Sequence, residues 1–196
     1  PSATVLGRCR ERSGEPERTA ACGALLVCHS GDTLQFAQAE VKRIAALLTQ
    51  RGEPVHVLAE EQATQEQVEA LAAGCRWLHF ACHGKYNWAE PLESGLWLAG
   101  PDDELNPYVV WEIQARLDLR STRLVTLSAC ETGLTESFDL PEEFVGLPAS
   151  FLMAGASTVV GSLWTVNDLS TMLLMERFYT NHLNGMAPPA ALREAQ

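Results

Sequence analysis

From Leu124 to Glu176 the chain carries no lysine or arginine, whereas Glu131, Glu136, Asp139, Glu142, Glu143, Asp168 and Glu176 all fall in that interval. With a formal net charge of −11, this asymmetry argues against nucleic acid as a direct ligand, because phosphate binding needs a basic surface. Also missing is an apolar run long enough to span a bilayer. The opening Pro1–Thr19 mixes arginine with glutamate and lacks the charged, apolar, small-residue order of a secretory signal. These absences predict a cytoplasmic protein with no membrane partner. There is no Walker motif and no G-x-G-x-x-G, and the spacing from Gly155 to Gly161 fits neither, so no phosphate-cradling loop and no cofactor is expected. The six cysteines (Cys9, Cys22, Cys28, Cys75, Cys82 and Cys130) are irregularly spaced and three lie in apolar runs, a pattern of reduced thiols rather than a disulfide framework.

A length of 196 residues suits one well-buried α/β domain. Residues 1–22 contain Ser13-Gly14-Glu15-Pro16 and no periodic pattern, and read as a linker or disordered lead-in to a domain at 23–196. Apolar runs predict strands at Ala24–Cys28, Pro54–Leu58, Trp77–Cys82, Leu124–Ala129 and Thr158–Trp164. Between them, Phe36–Arg51 carries a helical stripe of Val41, Ile44, Ala45, Leu47 and Leu48, and Thr64 with Gln67 forms a capping box for a helix that Gly74 stops. Turn residues around Leu96–Ala99 predict a small hairpin; Pro107–Leu117, Pro141–Ala154 and Asp168–Leu183 read as helices, the last ended by Asn184-Gly185. Pro188-Pro189 opens a further helix that the sequence cuts at Gln196, which predicts a piece of something longer. Alternating near-continuous apolar strands with helices implies a mainly parallel sheet with helices on both faces.

Two strands end in residues suited to chemistry. Trp77-Leu78-His79-Phe80 runs into Ala81-Cys82-His83-Gly84, and Leu124-Val125-Thr126-Leu127 runs into Ser128-Ala129-Cys130-Glu131-Thr132-Gly133. Open α/β sheets place their ligand crevice at the carboxyl ends of strands, so His83 and Cys130 are candidates for a base and a nucleophilic thiol. A free thiol with a pKa of about 8.5 is only a few per cent thiolate at neutral pH, and the surrounding carboxylates favour the neutral form further. His83 is therefore expected to remove the proton as the thiol attacks. Gly84, without a Cβ, lets its N–H approach a reacting carbonyl, and with the N–H of Cys130 it would form an oxyanion hole. Each residue has a plainer reading: Cys130 as a small apolar strand end, His83 as a turn histidine bonded to backbone, Cys82 as core. The polar Glu131-Thr132-Gly133 turn, which would expose the thiol, favours chemistry at Cys130.

A zinc site on Cys75, His79, Cys82 and His83 fails on distance. His79 and His83 on an extended strand are about 13 Å apart, whereas zinc ligands sit about 2 Å from the metal. His29, His56 and His182 belong to no constellation. Asp168 stands at the carboxyl edge of the sheet and also where a helix begins, so position alone leaves both a binding role and an N-cap open.

The set Phe80-Ala81-Cys82-His83-Gly84, Pro91-Leu92-Glu93-Ser94-Gly95-Leu96, Ser128–Gly133, Gly146-Leu147-Pro148 and Gly161-Ser162-Leu163-Trp164-Thr165-Val166-Asn167-Asp168 resembles the CHAT domain. CHAT domains are separase-related cysteine peptidases of the caspase-like clan, whose signature places a histidine about 50 residues upstream of the cysteine. The resemblance covers residues 23–196. It implies an α/β caspase-haemoglobinase fold, a mainly parallel sheet flanked by helices, with His83 and Cys130 as the dyad. It also implies a protein or peptide substrate, and a tetratricopeptide-repeat regulatory region on the same or another chain. The stretch closing on Asp168 is similar to the separase segment whose aspartate pairs with a substrate arginine, which makes Asp168, with Trp164 and Glu131, the expected substrate-binding set. Two other functions compete with an endopeptidase: a non-catalytic interaction module using the same cleft, and a small-molecule thiol hydrolase. Turn-rich segments at Lys85–Glu93 and Thr132–Leu140 would flank the dyad and are candidates for a gate.

Overall fold

Five parallel strands with helices packed on both faces organise the chain. The computed structural model describes residues 7–9, 11, 22–31, 33–87, 89–100, 105–128, 146–164 and 166–196. Among these the main sheet comprises β1 (Cys22–His29), β2 (Val55–Ala59), β3 (Cys75–Cys82), β7 (Leu124–Ser128) and β8 (Val159–Gly161) in the order β2-β1-β3-β7-β8. A smaller antiparallel sheet, β4 (Gly84–Lys85), β5 (Gly95–Ala99) and β6 (Leu105–Val109), is inserted after β3.

The parallel strands are apolar on both faces because helices cover both. Leu25 and Val27 of β1, with Leu78, Phe80 and Cys82 of β3, pack in one core layer with Val68 of α2 (Gln65–Ala72), Ile113 of α3 (Val110–Arg116) and Phe151 of α4 (Leu147–Met153). Ala24, Leu26 and Cys28, with Trp77 and Ala81, face a second layer against Val41, Ile44 and Leu48 of α1 (Ala37–Gln50) and Phe178 and Tyr179 of α5 (Asp168–Leu183). Ala191 of α6 (Pro188–Ala195) closes that layer. Each fully buried leucine contributes about 2 kcal/mol of transfer free energy, which makes the two-sided burial of β1 and β3 a main source of the sheet's stability.

Local signals act where the sequence puts them. Thr64 accepts a hydrogen bond from Gln67 N at 3.3 Å, and α2 gives way at Gly74, whose φ of 92° needs a residue without Cβ. Helix α5 ends before Gly185, at φ 96°. The helix expected over Pro107–Leu117 starts only at Val110. Leu105–Val109 is a strand, because it pairs antiparallel with β5 and Pro107, opposite Trp97, lies on the outer strand of the small sheet, where a missing N–H is tolerated. Strand β8 stops at Gly161, and Leu163 and Trp164 lie beyond it. Helix α4 covers 147–153 of the expected Pro141–Ala154; residues 141–145 lie outside the described set. In the expected lead-in, residues 7–9 and 11 are helical. No helix among the described residues is long and apolar enough to cross a membrane.

Candidate active site

In the order β2-β1-β3-β7-β8 the chain reverses its direction of travel between β1 and β3, and at such a switch point the loops leaving adjacent strands diverge and open a crevice at the carboxyl edge. His83 is the first residue beyond β3 on that edge. Its carbonyl accepts from Trp97 N at 2.8 Å, and Gly84 pairs with Leu96, so the small sheet holds the backbone on both sides of the histidine. Half-buried, the imidazole places Nε2 2.6 Å from the hydroxyl of Thr33, in the loop between β1 and α1. The plainer alternative, a turn histidine bonded to backbone, does not describe this ring, which meets a side chain 50 residues away. Ala81 and Ser128 are register partners in β3 and β7. Cys130 and Glu131 lie outside the described residues, as does the expected gate at Thr132–Leu140.

Asp168 is the first residue of α5. Its Oδ2 accepts from Phe36 N at 2.7 Å, the residue that precedes α1. One carboxylate therefore sits at the start of two helices, where the positive end of each macrodipole favours it. The N-cap of α5 is Asn167, whose Oδ1 accepts from Ser170 N at 3.1 Å; the cap reading of Asp168 gives way to this neighbour. Trp164 is 67 % exposed and Leu163 60 % exposed, between β8 and α5.

Glu60, which sequence reasoning passed over, clamps the loop from its other end. It follows β2 with a φ of 49°, rare for a residue with a Cβ and costly enough to need compensation. Its carboxylate accepts from the Ser30 hydroxyl at 2.5 Å, from Ser30 N at 3.3 Å and from Gln38 Nε2 at 2.9 Å. Partial desolvation pushes this carboxyl up, but the hydrogen bonds from Ser30 and Gln38 outweigh it and hold it below the usual carboxylate range.

The cysteines near this edge are not nucleophiles. Burial, reinforced by the carboxylates of Glu60, Glu40 and Asp168, pushes the Cys28 thiol up to about 12. Burial likewise raises Cys82, and it raises Cys75 at the opposite, amino end of β3. Cys82 is 1 % exposed, in the core, on the face opposite its neighbour His83 as strand alternation predicts. The segment Lys85–Glu93 is laced by local bonds: Asn87 Oδ1 accepts from Ala89 N and Glu90 N, both at 3.1 Å, and Ser94 Oγ accepts from Asn87 N at 2.9 Å. Among the described residues no group of three or more histidine, cysteine, aspartate or glutamate side chains could hold a metal ion.

Comparison with known proteins places this architecture. The chain is similar to the Saccharomyces cerevisiae separase of a separase–securin complex, with a TM-score of 0.67 over 98 % of this chain and 12 % of that one at 15 % identity. That degree of identity speaks to the fold alone, and the fold is the caspase-like one of separase. Over 80 residues, 40 % of its length, the chain is 36 % identical to tetratricopeptide repeat protein 28 of Mus musculus, of which the match spans 3 %. The CHAT domain model matches residues 1–196, taking in the first 22 residues as well as the sheet and the His83 edge. A match along its whole length makes the chain a member of the CHAT domain family.

Proposed function

We propose that the protein is a cysteine endopeptidase in which Cys130 is the nucleophile and His83 the base. His83 takes the thiol proton as sulfur attacks a peptide carbonyl, giving a tetrahedral oxyanion bonded by the N–H groups of Gly84 and Cys130. The proton passes from His83 to the amine, the C–N bond breaks, and a thioester remains. Water, deprotonated by His83, attacks the thioester and releases the carboxylate and the thiol. The observation that carries this reading is the position of His83 at the carboxyl edge beside β7. Ala81 pairs with Ser128, and in the sequence His83 and Cys130 each follow their strand partner by two residues.

The substrate residue before the scissile bond is basic. Supporting this, Asp168 stands at the start of α5 with Oδ2 held by Phe36 N, and a guanidinium would meet its carboxylate with a charge-assisted hydrogen bond. Trp164, exposed beside that edge, would cover the aliphatic stem, with Glu131 as a second carboxylate. Membership of the family and the likeness to a tetratricopeptide repeat protein support a regulatory partner of that repeat type, on the same or another chain, acting on a cytoplasmic enzyme. A peptidyl chloromethylketone with arginine at its reactive end tests the assignment: it should label Cys130 in the wild type and fail in His83→Ala. Equal labelling of both proteins would remove His83 as the base, and no labelling of the wild type would leave an interaction module that uses the same cleft.

A further inference from the structure

The loop between β1 and α1 is tied at three places to three different elements. At its start Ser30 bonds to Glu60 beyond β2, at its end Phe36 N donates to Asp168 of α5, and between them Thr33 bonds to His83 beyond β3. Thr33 is exposed and contributes nothing to the core, so its 2.6 Å contact with Nε2 is not a by-product of packing. At the Glu60 end the clamp is held in spite of an unfavourable φ, a cost the chain sustains only where surrounding contacts over-determine it. A hydroxyl bonded to Nε2, whether it donates or accepts, engages that nitrogen and limits rotation about the Cβ–Cγ bond, so the ring is held in one orientation before substrate arrives.

We propose that Thr33 is the positioning residue of His83, and that Asp168 acts on His83 through it by holding the loop at Phe36. This rests on the reading of His83 as base. Asp168 then has two duties, a charge presented to substrate and an acceptor presented to Phe36 N, and the substitutions Asp168→Asn and Asp168→Ala separate them. Asparagine keeps an acceptor oxygen and loses the charge; alanine loses both.

The experiment is nitrogen-15 NMR of the His83 ring, in the 196-residue chain, for the wild type and for Thr33→Val, Thr33→Ser, Asp168→Asn and Asp168→Ala. Thr33→Val should shift the balance between the two ring nitrogens and broaden the signal, Thr33→Ser should restore it, and Asp168→Ala should reproduce the valine effect while Asp168→Asn leaves the ring signals in place. In turnover, Thr33→Val should lower kcat by roughly 10- to 100-fold with little change in KM, the size expected of a misplaced reacting group. Unchanged ring signals in Thr33→Val, or identical signals in the two Asp168 variants, would overturn the proposal. If the wild type cleaves no peptide, the peptidase reading fails while the ring signals still decide the role of Thr33.

Discussion

Glu40 Oε1 lies 2.9 Å from His79 Nε2, with both side chains enclosed between β3, α1 and α5. Tyr179 OH approaches the other ring nitrogen at 3.4 Å and bonds Thr126 Oγ1 at 3.1 Å, so the second core layer contains a four-residue polar cluster. The Glu40–His79 approach is close in distance but poor in hydrogen-bond direction, which leaves Glu40 Oε1 and His79 Nε2 without a well-aligned partner. Removing one member of such a pair strands the other in an apolar layer. Glu40→Leu should cost about 1–3 kcal/mol in urea unfolding, the penalty of a buried polar group left unpaired, and the double variant with His79→Leu should recover most of the loss. A neutral single variant would show that the pair does not constrain the core.

For catalysis, Cys130→Ala should abolish turnover, and His83→Ala should lower it by about 10²- to 10⁴-fold, the usual contribution of a general base. Turnover near the wild-type rate by either purified variant, on a peptide the parent cleaves, would remove the dyad. Because Cys28, Cys75 and Cys82 have thiols held neutral by burial, none of them can substitute for Cys130.

Specificity should follow the charge on Asp168. Asp168→Asn is expected to reduce kcat/KM on arginine-containing peptides at least tenfold, since a charge-assisted bond is roughly twice as strong as a neutral one, while melting stays close to the parent because the acceptor for Phe36 N remains. A peptide-library profile with no basic preference would leave Asp168 as a clamp on α1 alone.

Stability should fall at both ends of the pH scale for identifiable reasons. The Cys28 thiol is raised from 9.0 to about 12, so its contribution is whole below pH 9 and drains away as pH climbs toward 12; Cys28→Ala should flatten that alkaline limb. The Glu60 carboxyl is lowered from 4.5, so its contribution is present above that pH and is lost as pH falls through the folded value; Glu60→Gln should flatten the acid limb. Denaturation midpoints measured across pH check both, and parallel curves for parent and variant would refute the corresponding assignment.

How much of this was legible beforehand depended on the range of the interaction concerned. The runs Ala24–Cys28 and Trp77–Cys82 announce buried parallel strands because a strand covered on both faces must be apolar throughout, and Thr64 with Gln67, or Asn184-Gly185, mark helix ends through bonds made within a few residues. His83 could be singled out because a strand end is a local feature. The strand at Leu105–Val109 was hidden, since its pairing depends on β5, a separate segment, and Pro107 argues locally against pairing. Glu40 sits one position before the apolar stripe of α1 and looks solvated until His79 is brought over it.

The order of apolar runs, caps and glycine stops determined that this chain forms a parallel α/β sheet and that His83 leaves it at the carboxyl edge, because period and capping are encoded within a single turn or strand. Only the tertiary structure decided that Thr33 meets His83, that Asp168 serves Phe36 while Asn167 caps α5, and that Glu60 bends to hold Ser30. Those contacts join residues far apart in the chain, and a polar side chain in a loop carries no periodicity that names its partner. Strand order β2-β1-β3 brings them together, and strand order is a property of how the layers pack rather than of any one segment.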